Sequence, residues 1–143
     1  MQIPVKAHYA AIAMLALAAR YRDGELVSAR TVSAEHDVPN QFLVQILQQL
    51  RSAGLVCSSR GSSGGFKLQR SPESITLAEI VDAVCSPQQL STTSEVGESD
   101  LNRVMSQVWD DVIQQQRNQL EQRSLQSLLD QANALSAESM FYI

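Results

Sequence analysis

Few side chains in this chain are placed to do chemistry. Three of its six glycines, Gly61, Gly64 and Gly65, fall in the heptapeptide RGSSGGF at 60–66. A glycine loop that begins with arginine could cradle a phosphate on its backbone N–H groups. It is not the P-loop of a nucleotide-binding enzyme: Phe66 stands where that pattern needs its second glycine, and no strand, loop and long helix follow. Cys57 and Cys85 are the only thiols, with no Cys-x-x-Cys pair and no Cys/His cluster to hold zinc. Both read as small buried hydrophobes, with redox sensing as the competing role for Cys85. His8 and His36 are too isolated for catalysis, so no enzyme is expected. One segment is richer. Asn40, Gln41, Gln45, Gln48 and Gln49 lie close together, and an amide side chain can bond an adenine edge through two parallel hydrogen bonds.

The elements that must carry these residues follow from composition and spacing. The chain has 143 residues, 44% of them hydrophobic, enough for one compact domain or a small domain with an extension. Its net charge of −4 hides a split. Residues 1–70 hold eight cations against four acids, and residues 71–143 hold three against eleven, giving +4 and −8. The first half suits a polyanion; the second does not. The alanine-rich stretch 10–19 loosely imitates a signal peptide, but it is too short to span a bilayer and runs into RYRDG without a cleavage site. It reads as a buried helix in a cytoplasmic protein that does not associate with membranes.

Strong helix formers without Gly or Pro predict a helix over 5–21, closed by Gly24. Leu26 and Val27 form a short extended piece, and Ser28 caps a helix over about 29–36. Pro39 and Asn40 open the next helix, to about 53, with Asn40 as its N-cap. Its apolar stripe is Phe42 or Leu43, Ile46, Leu47 and Leu50; its polar face is Gln41, Gln45, Gln48, Gln49 and Ser52. Segments 55–59 and 66–69, joined by the glycine loop, predict a β-hairpin. After a turn at 71–74, residues 75–84 form a helix with Thr76 and Glu79 as a capping box. Residues 86–98 read as a polar loop. From Ser99 a long helix carries Leu101, Val104, Met105, Val108, Trp109, Val112 and Ile113 at helical spacing, and Leu120, Leu125, Leu128, Leu129 and Leu135 continue an apolar face after a break near Ser124. That stripe needs a partner: the first domain, or the same helix of a second subunit.

Two short helices at a tight turn followed by a hairpin describe a winged helix-turn-helix, whose second helix enters the DNA major groove. Asn40, Gln41 and Gln45 would face base edges, and Lys6, His8, Arg51 and Arg60 would hold phosphates, although His8 reads equally as an ordinary helix-surface residue. The segments KAHYAAIAMLALA (6–18), FLVQILQQLRSAGLV (42–56), SRGSSGGFKL (59–68), ITLAEIVDAV (75–84), VWDDV (108–112) and SLQSLLDQA (124–132) resemble the Rrf-two-type bacterial transcription regulators. That family includes the iron–sulfur-cluster-assembly regulator, nitric-oxide-sensing repressors and cysteine-metabolism repressors.

The resemblance implies a homodimer on a partly palindromic operator, with the long helix crossing to the partner subunit. It assigns base contacts to Asn40, Gln41, Phe42 and Gln45, and wing contacts to Arg60, Ser62 and Ser63. Tyr9, Ser28 and Gln48 complete the expected DNA-facing set. The expected architecture is mostly α with a small β-hairpin: a winged helix-turn-helix domain over 1–85, a linker or effector loop over 86–98, and a helical dimerisation region over 99–143. Two departures matter. Cluster-binding members carry three cysteines and a histidine ligand after the fourth helix, whereas the corresponding stretch here has neither residue type, so no iron–sulfur cluster, no metal and no other cofactor is expected. Val44 stands where some of those members carry a base-selecting glutamate, so their operator does not transfer. The expectation is a DNA-binding repressor, answering to an unidentified effector or partner protein. Its rival is a helical protein–protein adaptor with an idle wing.

Overall fold

The computed structural model of the chain describes residues 2–61, 64–86 and 97–141. The first helix, α1 (Val5–Ala18), is the hub. Its buried face is Ala7, Ala10, Ala13, Met14, Leu17 and Ala18. Small side chains there let neighbours approach closely, and α1 packs against four other helices and the second strand of the hairpin. It stops three residues short of the expected end: Arg20 and Tyr21 donate to Leu17 and Ala18, three residues back, and Gly24 closes the turn at φ +66°.

Ser28 caps α2 (Ala29–His36), accepting from the Thr31 backbone N–H at 3.1 Å. Asp37 ends α2 in the left-handed region, and Val38 leads into α3 (Asn40–Ser52). Leu43, Ile46, Leu47 and Leu50 are buried, which resolves the choice between Phe42 and Leu43. The N-cap of α3 is Pro39, with no side-chain hydrogen bond, so the expected capping role of Asn40 is not realised. Asn40 is instead the first helical residue, and its side chain is exposed.

Strands β1 (Val56–Ser59) and β2 (Gly65–Leu68) pair antiparallel, with Val56 opposite Leu68 and Ser59 opposite Gly65. Val27 adds a third rung. It exchanges two hydrogen bonds with Phe66, both 2.8 Å, fastening the hairpin to the segment that caps α2. The glycines serve different ends. Gly61 supplies a positive φ of 117°, as a turn needs. Gly64 and Gly65 supply close approach: a Cβ on Gly65 would lie 2.7 Å from the Val27 carbonyl oxygen, and one on Gly64 would lie 2.4 Å from that of Ser59.

A single 3-10 turn (Pro72–Ser74) leads to α4 (Leu77–Val84), capped by Thr76 Oγ1 accepting from the Glu79 N–H. The Glu79 carboxylate pairs with Arg70. The long helix α5 (Asp100–Glu121) starts at Ser99 as expected and is followed by α6 (Leu125–Phe141). The break at Ser124 has a structural job. Leu77 N–H donates to Arg123 O at 2.8 Å and Leu125 N–H donates to Ile75 O at 2.9 Å, stitching the entry of α6 to the entry of α4. Leu125 is fully buried in the same core as α1, α3 and α4. The last region is therefore anchored inside the first through α6. α5 packs on α4, where Arg117 grips Asp82 with two hydrogen bonds of 2.6 and 2.7 Å, yet no residue of α5 is buried. The architecture is a mostly helical winged helix-turn-helix with a small hairpin.

Candidate nucleic-acid interface

Burying Leu43, Ile46, Leu47 and Leu50 fixes the rotation of α3 and turns Asn40, Gln41, Gln45 and Gln48 to solvent. Phe42 and Val44 also stay outside, on the same exposed side. Gln49 is half-buried, and its Oε1 lacks a hydrogen-bond partner among the described residues. At the end of the helix Arg51 Nη1 donates to Ser58 Oγ at 3.0 Å, joining α3 to the wing.

The expected contact residues divide by what the fold asks of them. Lys6 shares a groove with Gln45, Gln48, Gln49 and Ser52 of α3 and with Asp82 of α4. His8 is exposed, with its ring 6.2 Å from that of Tyr9. Tyr9 is half-buried against the core, and Ser28 is engaged in the α2 cap, so both have structural duties. Arg60 is exposed at the start of the hairpin loop. Ser62 and Ser63 lie outside the described residues, as does most of the expected loop at 86–98.

The structure also brings forward residues that the motif reading passed over. Arg30 is exposed on the first turn of α2, and Lys67 is exposed on β2. Among the described residues, Lys6, Arg30, Arg60 and Lys67 have no carboxylate partner. A sequence signal for this surface existed. Residues 38–72 contain Arg51, Arg60, Lys67 and Arg70 and not one Asp or Glu. That acid-free stretch covers α3 and the wing within an acidic protein, although Arg70 is paired with Glu79 and Asp82 lies at the edge of the α3 groove.

Cys85 is buried at the end of α4. Burial pushes its thiol up from the ordinary value, Lys6 opposes with a smaller pull downward, and Asp82 adds a small push upward. The thiol is therefore held as the unreactive form, which weighs against ready oxidation. On α5, Leu101 is 81% exposed, and Val104, Met105, Val108 and Trp109 are also in solvent, with Val112 and Ile113 half-buried. Among the described residues no helix is long and apolar enough to cross a membrane.

Comparison with known proteins agrees with this geometry. Residues 3–131 match the model of the Rrf2 family, described as "Iron-dependent Transcriptional regulator". The chain belongs to the Rrf2 family of transcriptional regulators. A Mycobacterium tuberculosis protein described as a helix-turn-helix-type transcriptional regulator, Rv1287, is 33% identical over 130 residues, covering 87% of this chain and 79% of that one. The helix-turn-helix-type regulator IscR of Cereibacter sphaeroides is 44% identical over 85 residues, a match spanning 59% of this chain and 55% of that relative. The solved structure of IscR from T. potens superposes with a TM-score of 0.76 at 28% identity, covering 92% of this chain and 88% of the other.

Proposed function

We propose that this Rrf2-family regulator binds double-stranded DNA as a cytoplasmic homodimer and acts as a repressor, without an iron–sulfur cluster. In this reading α3 enters the major groove, and the wing, led by Arg60, meets the adjacent backbone. The acid-free stretch 38–72 supports it best: it joins the exposed amides of α3 to Arg51, Arg60 and Lys67, none of which has a carboxylate partner among the described residues. In this reading Lys6, His8 and Lys67 extend the phosphate contacts. The exposed apolar stripe of α5 supports the dimer, because a second copy of the helix would cover side chains that its own domain leaves in water.

The donor set does not fit a cluster. The two thiols lie on β1 and at the buried end of α4, and no cysteine or histidine follows Cys85 in the sequence. Among the described residues no three His, Cys, Asp or Glu side chains come together as a metal site.

A salt titration of duplex binding tests the proposal. A protein that neutralises several phosphates loses affinity linearly on a log–log plot as salt rises. Arg60→Ala should weaken binding to all duplexes and reduce the slope by about one unit, while the dimer persists. Flat or absent duplex binding with an intact protein partner would favour an adaptor instead.

A further inference from the structure

The outer face of α3 offers an unusual chemical inventory. From Asn40 to Gln48 it presents only amides and hydrocarbon: Asn40, Gln41, Gln45 and Gln48 supply the amides, and Phe42 and Val44 are 58% and 37% exposed. Arg51 is the only charged residue of the helix; it lies in the last turn and is turned toward Ser58 of β1. A single exposed apolar side chain needs no explanation. Two of them beside a row of amides, on the helix assigned to the groove, form a pattern. At roughly 100° per residue, Phe42 neighbours Gln45 on one flank, and Val44 neighbours Gln41 and Gln48 on the other.

The major groove distinguishes bases by chemistry. Guanine is met by the N–H donors of arginine or lysine, and cytosine by a carboxylate. Adenine is met by an amide that both donates and accepts, and thymine by hydrocarbon against its 5-methyl group. The reading turns of α3 hold the last two kinds of group and lack the first two. We propose that α3 is built to read A·T pairs: Asn40, Gln41 and Gln45 take adenine edges, while Phe42 and Val44 pack against thymine methyls on either side of them. The inference rests on the DNA-binding reading and adds the base composition of the half-site beneath the first two turns of α3.

The test uses the full chain and a pool of random duplexes. Selected sites should carry A·T pairs at the protected core of each half-site. Each thymine there is then replaced by deoxyuridine, which removes only the methyl. Affinity should fall about fourfold per contacted methyl, the factor that corresponds to one buried methylene. Phe42→Ala and Val44→Ala alter exposed side chains, so each should keep the wild-type urea midpoint. Each should bind the thymine duplex more weakly and become indifferent to deoxyuridine at its own position. Equal wild-type affinity for thymine and deoxyuridine duplexes, or G·C pairs in the selected core, would overturn this proposal alone. Absence of salt-sensitive duplex binding would overturn it together with the DNA-binding reading.

Discussion

Gly65→Ala is a one-carbon change whose consequence can be worked out in advance. The new Cβ would meet three backbone atoms at once: Val27 O at 2.7 Å, Val27 C at 2.8 Å and Ser28 N at 3.1 Å. No side chain is available to swing away, so a strand must move. Relief of the closest contact to ordinary separation takes a shift of roughly 0.7 Å, more than the two 2.8 Å bonds between Val27 and Phe66 tolerate. Loss of those bonds costs about 1 kcal/mol each. The expected destabilisation is thus about 2 kcal/mol, within the range of overpacking effects. The damage should centre on the hairpin and on Val27, which joins it to the core. Native-state hydrogen exchange reads it directly: the Val27 and Phe66 amides should lose more protection than those of Leu47 and Ile80. Duplex affinity should fall because the wing is no longer held against the α2 cap. Unchanged protection at Phe66, with a urea midpoint equal to wild type, would show that the third rung does not hold the wing.

Three further perturbations probe other parts of the molecule. Leu125→Ala should cost about 3–5 kcal/mol in chemical denaturation, since a fully buried leucine leaves a cavity; a loss below 1 kcal/mol would mean that α6 is not part of the core. Val108→Asp, on the exposed stripe of α5, should convert dimer to monomer by sedimentation velocity with the helical signal intact; an unchanged mass would remove α5 from the interface. Cys85 should resist iodoacetamide in the native protein at pH 8 and react on unfolding, and rapid native labelling would revive its role as a sensor. A folded pKa raised by burial also fixes the sign of the linkage. The contribution of Cys85 to stability is present below the unfolded thiol value and is lost as pH rises through the folded one.

Much of the fold was legible because its signals are local. Ser28, Thr76 and Ser99 announce three helix starts; Ser28 and Thr76 accept the capping hydrogen bonds expected of them, and Ser99 accepts one from the Asn102 N–H. The spacing of Ile46, Leu47 and Leu50 defines which face of α3 is buried, and hence which amides face outward. The misses come from non-local or degenerate signals. Val27 is extended as expected, but a single bridging residue carries no alternation to name Phe66 as its partner. Asn40 and Pro39 compete for one cap position, and proline, with its φ of −57°, occupies it. Leu125 sits in a series of leucines at helical spacing, and periodicity alone does not say which of them meets a core built mainly from residues before position 86. Spacing alone admits either Phe42 or Leu43 to the stripe, and only the burial of Leu43 leaves Phe42 outside.

The stitch between α4 and α6 bears on the order in which the protein is made. Ile75 and Leu77 leave the ribosome well before Arg123 and Leu125, the residues that complete their hydrogen bonds. The domain that carries α3 and the wing is therefore unfinished when its own residues have all been synthesised. It must wait with part of its hydrophobic surface open until α5 has been added and α6 begins to dock. A nascent chain arrested near residue 98 should be sensitive to protease, and release of the segment through α6 should close it.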